Sequence, residues 1–343
     1  MSSTSTATTK LAYIVGAAVG VTVVAGLIHW YRNSKKKEEI PKKWRRVGTL
    51  KQLNMFPIKS CAPLILTPDT VISCDILGLR LATLRDRQFM IIDTKNQIVT
   101  ARTYPRCVLI KITIISAFKL MISAPGMENI ELYYFLLAQD STKPDVNTNV
   151  FGSKVKGVSC GEIYDKWLSK YLLGKDSGLR LIYYPYSEPT KPIDKGMRKE
   201  PHITSSDTGA YNDATSYMLM NLSSIKDLNT RMEHPVDPLQ FRGGFYIEMD
   251  KHEPYAEDEW NWIKIGDNAV FRAVAPCGRC ILPNINVKTG ERSPINEPLK
   301  TLNSYRRKKN YGSPLLGVHL GLRQAGDVKM HDVMYVEDNS VDE

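Results

Sequence analysis

Histidine is scarce in this 343-residue chain: there are six, none at a paired spacing. Cysteine also numbers six: Cys61, Cys74, Cys107, Cys160, Cys277 and Cys280, of which only the last two lie close in sequence. A structural zinc site needs four ligands at short, repeated spacings, so this distribution argues against one. Cysteines this sparse do not make a disulfide framework, and they fit a reducing compartment. The chain has no internal repeat and no low-complexity block. It also lacks the interleaved basic and aromatic residues that stack nucleic-acid bases, so its positive charge calls for another partner.

Most of that charge sits at one end. Residues 1–46 carry nine basic against two acidic side chains, +7 of the formal +10. The cluster follows an uncharged run, residues 11–28, LAYIVGAAVGVTVVAGLI. As a helix this run would be roughly 27 Å long, enough for a bilayer core. His29, Trp30 and Tyr31 then supply interfacial rings, and the Lys/Arg stalk marks the cytosolic side, which places the large domain in the cytosol. Only Lys10 precedes the run and no small-x-small cleavage site follows it, so a retained anchor fits better than a cleaved signal peptide. Gly16 and Gly20 stand at GxxxG spacing, which either packs helices together or simply lowers hydrophobicity.

From Val47 the pattern changes to short β-like runs: residues 49–58, 89–93, 98–102, 108–116 and 119–123. Thr94-Lys95-Asn96 suits a hairpin turn. Residues 161–173 predict a helix with Ile163, Trp167, Tyr171 and Leu172 on one face. Strands are predicted at 179–184, 244–249, 262–265, 269–274 and 333–336, and helices at 223–232, capped by Ser223 or Ser224, and at 298–305. Residues 187–201, rich in Pro and Lys, read as a surface loop. Many short strands with few helices predict a mainly β or α+β fold rather than a wound parallel sheet. The chain divides into an anchor and stalk (1–46), two β-rich domains (47–178 and 179–337) and an acidic tail (338–343).

Five segments bear chemistry. In Pro276-Cys277-Gly278-Arg279-Cys280, the charge of Arg279 beside Cys280 favours the thiolate that a soft metal needs. A redox dithiol would want a helix beginning at the motif, and Pro283 would break it early. The structural alternative is two small buried residues at a strand end. Phe56-Pro57-Ile58-Lys59-Ser60-Cys61 offers a point charge and a hydroxyl to a phosphate, or is an ordinary polar turn. Leu84-Arg85-Asp86-Arg87 is either a solvated charge run or an arginine held by Asp86 for an anion. Tyr211-Asn212-Asp213-Ala214-Thr215 and Phe241-Arg242-Gly243-Gly244 read singly as loops, although glycines after an arginine permit close backbone approach to a ligand. The run Arg306-Arg307-Lys308-Lys309 is a solvated face or a dock for an acidic protein.

In order along the chain, these segments resemble the MOSC domain proteins, and among them the mitochondrial amidoxime-reducing component family. The resemblance spans residues 47–336 and is also carried by Leu77-Gly78-Leu79-Arg80, Val99-Thr100-Ala101-Arg102, Cys160-Gly161-Glu162, Ile281-Leu282 and Tyr311-Gly312-Ser313-Pro314-Leu315. It implies a MOSC β-barrel at 179–337 joined to an N-terminal β-rich MOSC-associated domain at 47–178, preceded by one transmembrane helix. It implies molybdenum held by a pyranopterin dithiolene, with Cys280 as the metal's cysteine ligand and Cys277 structural. Lys59, Ser60, Arg87 and Arg242 match positions that hold the pterin and its phosphate. Asp213, Ala214 and Thr215 match the loop near the metal, and Gly278, Arg279 and His319 match further cofactor contacts. The chain departs from the family where Gly278 replaces a common Ser, His319 a Tyr, Arg242-Gly243-Gly244 an Arg-Pro-Asn, and Ser216 a Pro.

The implied activity is two-electron reduction of N-hydroxylated, amidoxime-type substrates, with NADH-derived electrons arriving through cytochrome b5 reductase and cytochrome b5. The implied location is the mitochondrial outer membrane. Removing oxygen as water needs a proton source, and Asp213 is expected to shape proton delivery. Two other readings stand beside this one: a membrane-anchored binding or sulfur-handling protein that keeps the shape without reductase chemistry, and a Cys277–Cys280 dithiol oxidoreductase.

Overall fold

The computed structural model describes residues 38–139 and 144–340. Its centre is a closed seven-stranded barrel. We number the barrel strands β1 (Trp44–Leu53), β2 (Tyr217–Asn221), β3 (Phe245–Met249), β4 (Trp262–Ile265), β5 (Ala269–Gly278), β6 (Leu315–Gln324) and β7 (Val333–Glu337). Around the barrel the order is β1-β3-β2-β6-β5-β4-β7, and β7 closes onto β1. Only β2 and β3 run parallel. A parallel pair needs a crossover, supplied by the helix Leu222–Thr230. The barrel is filled by apolar and aromatic side chains, including Tyr217, Phe245 and Phe271, whose ring centroids lie 5.0–5.7 Å apart.

Three smaller sheets lie outside the barrel. The five-stranded one has Phe89–Asp93 near its middle, paired to Leu179–Tyr183 on one side and Ile98–Val99 on the other. A strand covered on both faces reads as an uninterrupted apolar run, which Phe-Met-Ile-Ile provides. The four-stranded sheet takes its edge from Gly326–Val328, near the C-terminus. Chain order and space are thus interleaved. The first strand belongs to the barrel, and a late strand belongs to a sheet built otherwise from residues 72–85.

The mainly β expectation holds, as do the hairpin after Asp93 and the helix Glu162–Leu173. Several boundaries move for physical reasons. β1 ends at Leu53 rather than at residue 58: Asn54 N still donates to the Gly244 carbonyl, but Phe56 N then donates to the buried Asp86 carboxylate instead of a strand partner. The run from 98 stops at Val99, where the Thr100 carbonyl accepts from Thr103 and Tyr104. Residues 105–109 form a 3-10 turn ahead of the strand Lys111–Ser116. The crossover helix is capped by Asn221, which accepts from Ser223 N at 2.8 Å; Ser224 is occupied instead with the buried Glu257. β6 went unpredicted because Gly317 and Gly321 interrupt its pattern. The stretch read as a membrane span, residues 11–28, lies outside the described residues. Among those described, no helix is long and apolar enough to cross a membrane.

Candidate active site

All eleven site positions read from the sequence, namely Lys59, Ser60, Arg87, Asp213, Ala214, Thr215, Arg242, Gly278, Arg279, Cys280 and His319, line one cavity of about 530 Å³. They arrive from the turn after β1, the strand-turn at 84–88, the loop before β2, the entry to β3 and the paired strands β5 and β6. The β5–β6 ladder slips between Ala273 and Ala275 and again between Pro276 and Gly278. Such bulges re-aim side chains and let a strand carry proline. Here they turn the end of β5 toward the cavity.

One wall is cationic. Lys59 is 5 % exposed, donates to the Tyr211 carbonyl at 2.7 Å and ion-pairs with Asp213. Arg102 reaches the other Asp213 oxygen at 3.1 Å. Arg87 is held by the buried Asp86 and donates to the Arg242 carbonyl at 3.2 Å. The guanidinium groups of Arg87 and Arg242 both lie over the Phe56 ring, at 4.4 and 4.2 Å. The charge run at 84–87 is therefore not a solvated face: Asp86 is 1 % exposed and bonds Phe56 N as well as Arg87.

Crowded cations weaken one another. Burial and the neighbouring Arg87 bring Arg242 down to about 10. Burial lowers Lys59, and Asp213 pulls it part of the way back. Burial opposes the charge on Asp213, but Lys59 and Arg102 hold its carboxyl well below the usual carboxylate range. Asp213 thus sits in the wall as a fixed anion.

Three of these residues carry an unusual backbone. Ser60, Arg87 and Arg242 have φ of 70°, 48° and 57°, and Phe151 on the same cavity wall has 48°. Non-glycine residues seldom occupy this region, and it costs of order 1–2 kcal/mol each. Clustered around one cavity, they mark a place where side-chain position outweighs local comfort.

The same cavity also carries sulfur. None of the six cysteines is in a disulfide, and Cys280 alone is not fully buried. Arg279 is itself buried. Its guanidinium donates to the carbonyls of Leu316 and Phe241 and packs on the Met220 thioether. The thiol it acts on is Cys277: burial opposes ionisation there, but Arg279 and His319 prevail and bring the thiol down to about 7. His319 Nδ1 lies 3.0 Å from the Thr215 hydroxyl, which itself donates to the Tyr217 carbonyl. A hydroxyl has one proton, so Thr215 receives the Nδ1 proton of His319.

The missing family proline has a local account. The Gly243 N–H donates to Tyr246 Oη at 3.0 Å, which proline could not do, and a Cβ there would meet Met220 Cγ at 2.5 Å. The space is taken up by the methionine that supports Arg279.

Sequence reasoning missed three contributors. Arg102 stood in a quoted motif without a role, and Phe151 gave no signal. Lys191 was placed in a surface loop, yet it is 3 % exposed and donates to the carbonyls of Asn212 and Asp213 at 2.5 and 2.8 Å.

Comparison with known proteins narrows the field. Residues 47–175 match the MOSC N-terminal beta barrel domain and residues 207–335 match the MOSC domain. The chain is 34 % identical to mitochondrial amidoxime-reducing component 1 of Homo sapiens, with 93 % of this chain and 92 % of that protein covered. The chain belongs to the mitochondrial amidoxime-reducing component family. It is 32 % identical to component 1 of Danio rerio over 93 % of each chain, and 32 % identical to component 2 of Homo sapiens over 93 % of this chain and 92 % of that one. The two matched segments of this amidoxime-reducing component family member include all eleven site positions named above.

Proposed function

We propose that this protein is a molybdenum-cofactor-dependent reductase of N-hydroxylated, amidoxime-type substrates. In this reading electrons reach it from NADH through cytochrome b5 reductase and cytochrome b5. It is anchored by residues 11–28 in the mitochondrial outer membrane, with residues 47–337 facing the cytosol. The observation that carries the reading is the pairing of the Cys280 thiol with an unsatisfied cation across one cavity. Arg242 Nη2 is buried and has no hydrogen-bond partner among the described residues. A buried guanidinium donor without an acceptor is costly, and an anionic oxygen is the acceptor that suits it.

The residues fit a pterin-borne metal. No group of three or more His, Cys, Asp or Glu among the described residues converges to hold a metal by protein atoms alone. Cys280 would give one thiolate beside the sulfurs of a pterin dithiolene. Lys59, Ser60, Arg87 and Arg242 would grip the phosphate. When bound, the cofactor would supply the two-electron redox chemistry for removing the substrate's oxygen.

The balanced reaction is RC(NH2)=N–OH + 2e− + 2H+ → RC(NH2)=NH + H2O. The protein's share is position and protons. Asp213, already ionised, donates nothing; it holds Lys59 and Arg102 in place and so shapes where protons are available. Lys59, the ammonium that Asp213 holds, is a wall group able to hand one on. Arg279 stiffens the end of β5 so that Cys280 keeps its place at the cavity.

Elemental analysis with a paired activity assay tests this. Protein from cells that make the cofactor is expected to carry near-stoichiometric molybdenum and to reduce benzamidoxime. Cys280→Ala should lose the metal and Cys277→Ala should largely keep it. Metal-free protein from such cells would favour the binding or sulfur-handling reading, and equal loss in both variants with a reversible disulfide would favour the dithiol.

A further inference from the structure

The basic run at 306–309 is not a remote solvated face. It continues directly into the cavity wall, because Asn310, Tyr311, Gly312 and Ser313 line the cavity. A second basic segment, Lys195 to Lys199, meets it across the mouth. Lys199 donates to the Asn310 carbonyl at 3.3 Å and lies 4.6 Å above the Tyr311 ring. Lys195, Arg198, Lys199, Arg307, Lys308 and Lys309 are all exposed. Arg306 is spent on Asp258 at 2.8 Å, and Lys308 leans on the same carboxylate at 3.7 Å. Arg307 and Lys309 have no acidic partner among the described residues. Beside the mouth, Arg307 to Gly312 line a further depression of about 510 Å³.

From this placement we propose that the two basic segments form the docking face for a small acidic electron-carrier protein. The proposal rests on the reductase reading, in which each turnover consumes two electrons that must enter at this cavity. Unpaired exposed cations around a redox cavity steer an anionic surface to its mouth and fix its orientation. The occupant is a carrier protein rather than a lipid surface because the two segments meet at the opening and border the depression lined by Arg307 to Gly312. A bilayer pressed on it would close the cavity to substrate, whereas a one-electron carrier docks, discharges and leaves, twice per turnover. The helix Leu299–Tyr305 and the Arg306–Asp258 pair give the loop a firm base.

The test uses full-length, cofactor-loaded protein with two electron sources: reduced cytochrome b5, and dithionite-reduced benzyl viologen as a small bypass. The variants are Arg307→Glu/Lys309→Glu and Lys195→Glu/Arg198→Glu, none of which lines the cavity. The expected result is a KM for cytochrome b5 raised at least ten-fold with its salt dependence flattened, and a viologen-driven kcat within two-fold of the parent. Unchanged cytochrome b5 kinetics at low salt would overturn the docking face. So would loss of binding to phosphatidylserine vesicles with carrier kinetics intact, which would assign the patch to lipid. If the parent protein fails to reduce benzamidoxime with viologen, the reductase reading itself fails and takes the docking face with it.

Discussion

Lys59 and Asp213 stand 154 residues apart in sequence and form an ion pair in which the cation is buried and the anion is half exposed. The asymmetry matters. Lys59 has little water to fall back on, and its charge is carried by one carbonyl and one carboxylate. Asp213→Asn removes the carboxylate and leaves the buried ammonium short of a partner. Discounting for the exposure of Asp213, the expected loss is roughly 1–3 kcal/mol in a urea melt. Asp213 also raises the proton affinity of Lys59, so its removal should move the alkaline limb of the kcat/KM profile to lower pH. Unchanged turnover and an unchanged profile would remove Asp213 from proton delivery.

Arg242 makes a prediction that needs no catalysis. If its buried Nη2 awaits an anionic oxygen, inorganic phosphate should stabilise the cofactor-free protein. At ten times its dissociation constant a ligand contributes about 1.4 kcal/mol, a rise of a few degrees in Tm. Arg242→Met should abolish that rise and leave the stabilisation by sodium chloride untouched. An equal phosphate response in both proteins would mean that the anion binds elsewhere.

How far the chain could be read depended on whether a feature is local. Lys59-Ser60 and the Cys277-x-x-Cys280 pair could be singled out because each is contiguous, but alone each read equally as a polar turn or a strand end, and only the ordered set of motifs along the chain joined them to one chemistry. The left-handed backbone at Ser60, Arg87 and Arg242 could not be singled out, since none is Gly, Asn or Asp and nothing in their neighbours requires it. Lys191 was hidden by its company: a Pro- and Lys-rich stretch reads as surface, and only the fold brings the carbonyls of Asn212 and Asp213 to its Nζ. The direction of Arg279 was likewise set by partners at Phe241 and Leu316, far from it in sequence. The barrel's use of residues 44–53 is also non-local, because a strand's apolar pattern says that it pairs but not with which neighbour.

Gly157 supports the site from outside the cavity. The Tyr211 hydroxyl packs over it while donating toward the carbonyls of Lys156 and Tyr183, and the Tyr211 carbonyl receives Lys59. A Cβ at 157 would overlap that hydroxyl and sit 2.8 Å from the Tyr183 carbonyl. Gly157→Ala should therefore cost roughly 2–3 kcal/mol, the usual scale for overpacking. Adding Tyr211→Phe removes the nearer clash, so the double variant should be more stable than the two single losses predict when summed. Strict additivity in urea melts would show that the tyrosine does not transmit the strain.

Lys191 gives the stability a slope with pH. Burial first, then repulsion from Lys59, pushes its ammonium down to about 7 from an ordinary 10.5. Between those values the unfolded chain holds the proton and the folded protein has released it. The unfolded state then binds more protons, so stability rises with pH and is lost as pH falls toward 7. From pH 7 to 8.5, below the range where ordinary tyrosines and lysines titrate, the gain assigned to this one residue is roughly 1–2 kcal/mol. Lys191→Met should flatten the slope by that amount in urea melts across the same interval. The comparison with the parent cancels every other titrating group to first order. If both proteins show the same slope, Lys191 keeps its proton at neutral pH, and the carbonyls of Asn212 and Asp213 are held by a full charge.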